Sequence, residues 1–297
     1  MKLNELRKSL TEQLRPASAD DAAFEADCLI ADALGCRNAQ LPLTPEREID
    51  EMTEQALDKK AERRLAGEPL QYILGEWEFY GLPFFVGKGV LIPRPETEQL
   101  VDLVLENLKD MKNPVVLDLC AGSGCIGITI GKKRPDATVS MLEVSDDAVS
   151  YQKRNIKRNL VNNAHVIQSD LFTAFPFVSS PFDAIVSNPP YIRTAELAAL
   201  PREVKQEPAM ALDGGEDGLK FYRAIAADYA PLLAEDGFLA VEIGEEQGNA
   251  VAEIFRRSFS QVEVFKDYSG LDRMVLAGKH FKKGTCSSGC MGEKDVI

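Results

Sequence analysis

The sequence predicts an α/β protein whose mostly parallel, seven-stranded sheet follows a small helical domain. Three observations carry this prediction. Apolar residues up to about position 70 recur at helical spacing, the rest of the chain alternates short β-branched runs with helical patterns, and the first such run ends in a glycine loop. At 297 residues the chain is long enough for two domains and a large core.

Residues 1–70 are expected to form the helical domain. Leu3, Leu6, Leu10 and Leu14 share one helix face, and Phe24, Leu29, Ile30 and Leu34 form a second apolar set ending at Gly35. Thr44-Pro45-Glu46 is expected to open a third helix, with proline at the first helical position. Over residues 71–90 the pattern becomes aromatic and is punctuated by Gly75 and Gly81, which suits a hairpin connector; Trp77, Phe79 and Tyr80 are read there as packing residues.

Residues 91–280 carry the sheet. Strands are expected at Val115–Leu119, Thr138–Leu142, His165–Gln168, Phe182–Val186 and Phe238–Ile243, with a final pair around Val262–Phe265 and Met274–Leu276. Helical patterns lie between them, through Ile126, Ile128 and Ile130, and again through Val251 and Ile254.

Three strand ends converge on a candidate nucleoside site. After the first strand, Cys120-Ala121-Gly122-Ser123-Gly124 lets the backbone turn tightly beside a helix N-terminus with unpaired N–H donors. Glu143, at the tip of the second strand, can accept from both ribose hydroxyls. Asp170, after the third strand, can accept from an adenine amino group, and Leu171 can cover the ring. The loop lacks a full Gly-x-Gly-x-x-Gly pattern and any Gly-Lys-Ser/Thr, so phosphate binding is the weaker reading.

The fourth strand runs into Asn188-Pro189-Pro190-Tyr191. A planar amide or amino nitrogen is a poor nucleophile because its lone pair is delocalised, so geometry must compensate. The Asn188 side-chain oxygen and the Pro189 carbonyl can accept its two N–H groups and aim the nitrogen at an electrophilic methyl. Paired prolines fix that carbonyl in an extended turn. Tyr191 is expected to lie against the planar substrate or near a sulfonium. Methylation leaves an acidic proton on nitrogen, so neither His165 nor His280 is needed as a base.

A net charge of −13 argues against a nucleic-acid surface, so direct nucleic-acid binding is not expected. The basic runs Lys132-Lys133-Arg134, Lys153-Arg154 and Lys157-Arg158 read as solvated helix faces. The sequence shows no signal peptide and no stretch approaching the roughly 20 apolar residues of a membrane span, so a cytoplasmic protein is expected. Its six cysteines form no disulfide framework, no metal site is expected, and residues 281–297, with Cys286 and Cys290, read as a disordered tail.

On these residues the chain resembles the S-adenosylmethionine-dependent methyltransferases, and more narrowly the release factor glutamine methyltransferases, also called the HemK family. The resemblance covers about residues 1 to 278. Its marks are Leu91-Ile92-Pro93-Arg94-Pro95-Glu96-Thr97-Glu98, the glycine loop, Asn188 to Tyr191, and Glu207-Pro208 leading into Leu212-Asp213-Gly214-Gly215-Glu216-Asp217-Gly218-Leu219 with Phe221-Tyr222-Arg223. It implies a Rossmann-like class I methyltransferase that uses S-adenosylmethionine, held by Cys120 to Gly124, Glu143, Leu171 and Asn188.

The same resemblance gives Asn188 through Tyr191 the role of holding a glutamine, with Asn188, Pro189 and Tyr191 catalytic, and lets Arg94 and Glu96 brace the substrate pocket; a plain helix-entry role for Pro95-Glu96-Thr97 stands beside this. The implied target is the N5 amide of the Gly-Gly-Gln glutamine in class 1 peptide chain release factors, linking the protein, as a monomer, to translation termination. The helical domain would dock that partner. Where the family's loop usually begins with glycine, this chain has Cys120, read as a small residue and not a nucleophile. Ribosomal-protein glutamine methyltransferases and adenine-N6 DNA methyltransferases share Asn-Pro-Pro-Tyr and are the alternatives.

Overall fold

The computed structural model describes residues 1–173 and 181–281. Among these, two compact units form, one of residues 1–75 with 202–206, the other of residues 76–201 and from 207 onward. The tail expected over 281–297, with Cys286 and Cys290, falls almost wholly outside the described residues.

The first unit contains α1 (Leu3–Leu14), α2 (Ala22–Leu34), α3 (Glu51–Leu65) and α4 (Leu70–Leu74). The leucine face of α1 is buried as its spacing requires. Two expectations are corrected here. Phe24 stays on the surface at 53% exposure, while α2 buries Glu25 instead, because Arg64 on α3 meets that carboxylate through two hydrogen bonds of 2.8 and 2.9 Å. Arg64 also pairs with Glu203 at 2.6 Å. A buried ion pair of this kind has no signature in apolar periodicity.

The third helix opens at Asp50, not at Thr44-Pro45. The Asp50 side chain accepts from the Thr53 N–H at 2.8 Å, an N-cap contributing about 1 kcal/mol. Residues 45–49 instead form a turn and a single bridge, Glu48 with Lys2, beside the start of α1, where the Pro45 and Arg47 carbonyls accept from Asn4 and Leu3.

The second unit begins with the antiparallel hairpin β1 (Glu76–Phe79) and β2 (Leu82–Phe85). Phe79 and Phe84 are buried in the core, and Trp77 packs beside Val86, Val90 and Ala148. Then follow α5 (Pro95–Leu108), β3 (Val115–Leu119), α6 (Cys125–Lys133), β4 (Thr138–Glu143), α7 (Asp146–Asn159), β5 (Ala164–Gln168), β6 (Phe182–Ser187), α8 (Lys220–Ala224), β7 (Leu233–Glu242), α9 (Gly248–Phe255), β8 (Gln261–Lys266) and β9 (Asp272–Gly278).

The seven-stranded sheet has the order β5-β4-β3-β6-β7-β9-β8, and only β9 runs against its neighbours. Alternate residues face opposite layers, as strand geometry demands. Val116, Val139 and Ala184 join Leu100, Val104 and Ile130 in one core; Leu117, Leu142 and Ile185 join Tyr222, Val251 and Phe255 in the other. Strands buried on both faces explain the near-continuous apolar runs in the sequence. Because β3 lies between β4 and β6, the chain's direction of winding reverses at β3/β6, and the loops leaving these strands border the crevice where such sheets bind ligands. Among the described residues no helix is long and apolar enough to cross a membrane.

Candidate active site

A cavity of about 400 Å³ opens at the carboxyl ends of β3, β4, β5 and β6. Its lining includes Arg94, Cys120, Ala121, Gly122, Ser123, Glu143, Asp170, Leu171, Asn188 and Pro190, so ten of the residues singled out in the sequence meet around one space. Gly124, Glu96, Pro189 and Tyr191 do not line it.

The glycine loop owes its shape to its neighbours. Cys120, Gly122 and Gly124 all have positive φ, at 55°, 53° and 80°. For Cys120 this left-handed backbone is strained, which accounts for the glycine usual at that position. Gly124 is also crowded, since a Cβ there would meet the Ile128 side chain at 2.9 Å. From α7, Gln152 donates to the Gly122 carbonyl at 3.1 Å and Asn155 to the Ser123 carbonyl at 2.9 Å. Burial pushes the Cys125 thiol up to about 12 and the Cys120 thiol well above its usual range, so both stay protonated and neither is an activated nucleophile.

Glu143 is only 9% exposed, and its carboxylate is the hub of the loop. One oxygen accepts from the Gly122 N–H at 2.8 Å; the other accepts from Val144 and Ser145, both at 2.9 Å. Two lone pairs per oxygen leave the Gly122-facing oxygen able to accept one more hydrogen bond. Asp170 is exposed and caps its own turn through the Phe172 N–H, while Leu171 is buried beside it. Asp118 is completely buried; one oxygen accepts from the Gly127 N–H at 2.9 Å, and burial pushes its carboxyl up to about 8.

Asn188 leaves β6 with its side-chain nitrogen donating to Thr97 Oγ1 at 3.2 Å, and Thr97 donates to Glu242 at 2.6 Å. Pro189 and Pro190 are buried. The segment after them is braced from behind: Gln247 donates to the Tyr191 carbonyl at 3.0 Å, and a Cβ on Gly214 would sit 2.7 Å from the Tyr191 Cα, so only glycine allows this approach. The Tyr191 ring packs against the Tyr222 and Ile243 layer, not into the cavity, and burial pushes its hydroxyl up to about 12. Arg94 is tied to Glu207, which also accepts from the Ile92 N–H at 2.9 Å. Glu96 stands in the first turn of α5.

Sequence reasoning had not singled out Thr97, Glu207, Glu242, Gln152 or Asn155. Thr97 and Glu207 stood inside quoted motifs and could have been found there. Glu242, the last residue of an apolar strand, could have been noticed as a charge where burial was expected.

Two carboxyl groups held above their free values give a pH prediction. Burial raises Asp118 to about 8 and Glu242 to about 7, against ordinary values of 3.8 and 4.5. The folded state therefore holds these protons more tightly than the unfolded one. Their contribution is fully present below the free values and is lost as pH rises through the folded ones, at up to about 1.4 kcal/mol per pH unit for each group. Carboxylates held down near 2 by arginine, Asp136 and Asp217, act below this window. The Tm should fall between about pH 5 and about pH 8, and Asp118→Asn should flatten that slope. A Tm that stays level or rises over the interval would contradict the assignment.

Known proteins share this sequence and fold. The family model for the Methyltransferase small domain matches residues 96–216, and that for the PrmC N-terminal domain matches residues 5–75. The methyltransferase of Pyrococcus furiosus, a crystal structure, shares the fold at a TM-score of 0.50 and 22% identity over 69% of this chain and 90% of its own. The release factor glutamine methyltransferase of Aquifex aeolicus is 38% identical over 93% of this chain and 98% of its own length. That of Thermodesulfovibrio yellowstonii is 42% identical over 86% of this chain and 92% of its own. With identity at this level running through both the helical unit and the sheet, the chain belongs to the release factor glutamine methyltransferase family.

Proposed function

We propose that this protein transfers a methyl group from S-adenosylmethionine to the N5 amide nitrogen of the glutamine in the Gly-Gly-Gln motif of class 1 peptide chain release factors. The observation that carries the reading is the meeting of Glu143 and Asn188 on one cavity of about 400 Å³, a nucleoside acceptor on one wall and an amide acceptor on another. The residues present fit the donor. Glu143 keeps a lone pair for a ribose hydroxyl, Leu171 and Leu142 offer apolar surface to a purine, and Asp170, on the same cavity, can accept from an amino group.

The donor supplies an electrophilic methyl on a sulfonium. Asn188 Oδ1 accepts one N–H of the incoming amide, and the nitrogen lone pair is left facing the methyl. As the N–C bond forms, the S–C bond breaks and its electron pair stays on sulfur. The methylated nitrogen then loses its proton to water without a strong base. The test is peptide mass spectrometry of an unmodified class 1 release factor after incubation with the protein and S-adenosylmethionine, with a duplex oligonucleotide in parallel. One methyl on the Gly-Gly-Gln glutamine is the expected result; methylation of the oligonucleotide alone would overturn the reading.

In this reading the helical unit docks the release factor, because a lone glutamine offers too little contact for selectivity. Its exposed Phe24 and Met52 are apolar side chains available for that contact, at 53% and 79% exposure. Phe24→Asp with Met52→Asp should raise KM for the release factor by about tenfold, the scale of one or two modest interface contacts, and leave the donor Kd unchanged. Equal losses on both ligands would contradict this division of labour.

A further inference from the structure

We propose that Thr97 and Glu242 are positioning residues that fix which end of the Asn188 amide faces the substrate. The inference rests on the reading of Asn188 as the acceptor for a glutamine amide. An asparagine amide can turn over with little change of shape, exchanging acceptor for donor. Only one orientation serves, because an incoming –NH₂ needs acceptors.

The geometry selects that orientation in two steps. Above about pH 7, where Glu242 is ionised, its carboxylate accepts only, so the single hydroxyl proton of Thr97 goes to it, at 2.6 Å. Thr97 Oγ1 is then restricted to accepting, which it does from the Asn188 nitrogen at 3.2 Å. The Asn188 oxygen is left to the cavity. Thr97 is 1% exposed and Glu242 2%, so solvent does not scramble the order. The three groups come from the first turn of α5, the end of β7 and the end of β6, and adjacent strands hold the last two in register.

Charge around Glu242 bears on its state. Burial and Glu96 from α5 favour the proton, while hydrogen bonds from Thr97 and from Asn188 itself, with the Arg273 guanidinium from β9, favour the ionised form, so the Asn188 nitrogen is drawn to Glu242 as well as to Thr97. A protonated Glu242 could donate to Thr97, freeing the Thr97 hydroxyl to donate to the Asn188 oxygen and turning the amide the wrong way. Turnover should therefore decline on the acid side, and the decline should weaken in Glu242→Gln, whose amide oxygen still accepts.

The experiment compares Thr97→Val, which keeps the shape and loses the hydroxyl, with Thr97→Ser, which keeps it, each alone and in an Asn188→Ala background. Thr97→Val is expected to lower kcat by about tenfold or more, with donor Kd within about twofold of the parent; Thr97→Ser should recover most of the rate. In the Asn188→Ala background Thr97→Val should cost nothing further, because the residue it positions is gone. Additive losses, or a serine variant as impaired as the valine, would overturn the proposal.

The side-chain ¹⁵N–¹H₂ resonance of Asn188, identified by its loss in Asn188→Ala, gives a readout independent of turnover. It should shift in Thr97→Val and titrate with pH in the parent but not in Glu242→Gln. If the parent methylates no release factor while this resonance behaves as described, the functional reading fails and the relay stands. If the resonance is unmoved by both changes, the relay fails.

Discussion

Replacing Asn188 by alanine is expected to lower kcat for release-factor methylation by roughly a hundredfold or more, the usual cost of losing transition-state positioning, a larger effect than on donor affinity, which the glycine loop and Glu143 also support. The direction follows from where the side chain stands. Asn188 lines the cavity, and its nitrogen is held by Thr97 at 3.2 Å. The folded state should lose little, since the substitution removes the Asn188 hydrogen bonds to Thr97 and Glu242, each worth about 1 kcal/mol, and leaves the Thr97–Glu242 bond in place. A large fall in kcat beside a small fall in Tm is thus the signature of a positioning acceptor. Asn188→Asp should fare no better, because a carboxylate cannot donate to Thr97 and adds a second negative charge near Glu242. Near-full turnover by the alanine variant would sink the assigned role.

The sheet was legible because its strands are buried on both faces and so read as unbroken apolar runs; Val115–Leu119 is a strand at those bounds. The site was legible where function places unusual residues at strand ends, as at Glu143 and Asn188. It was not legible where a side chain acts through another. Thr97 looks like an ordinary first-turn residue after Pro95, and only the fold brings it to Glu242, 145 residues further along the chain. The surroundings of Tyr191 were hidden for a related reason. An aromatic beside a motif suggests a stacking surface, yet Gly214 closely approaches its backbone and the partly buried side chain packs against the second core. The helical unit misled at Phe24 because apolar spacing does not reveal that Glu25 is buried by Arg64.

Glu143→Gln should weaken methyl-donor binding by about tenfold to a hundredfold, the loss of one or two charge-assisted hydrogen bonds, while Thr97→Val leaves it intact. The carboxylate has three backbone N–H donors on its two oxygens. A glutamine can keep its oxygen on only one side. If that oxygen serves Val144 and Ser145, its –NH₂ opposes the Gly122 N–H, and two donors face each other at the centre of the glycine loop. The same change removes the acceptor that the Gly122-facing oxygen offers to a ribose hydroxyl, so loop geometry and direct contact fail together. Titration calorimetry with S-adenosylmethionine measures the sum, and the Tm of the protein without ligand isolates the loop's share. A drop in Tm with unchanged donor Kd would reduce Glu143 to a loop-organising residue. Weak binding together with a kcat that stays near the parent value at saturating donor would separate donor capture on β4 from amide positioning on β6.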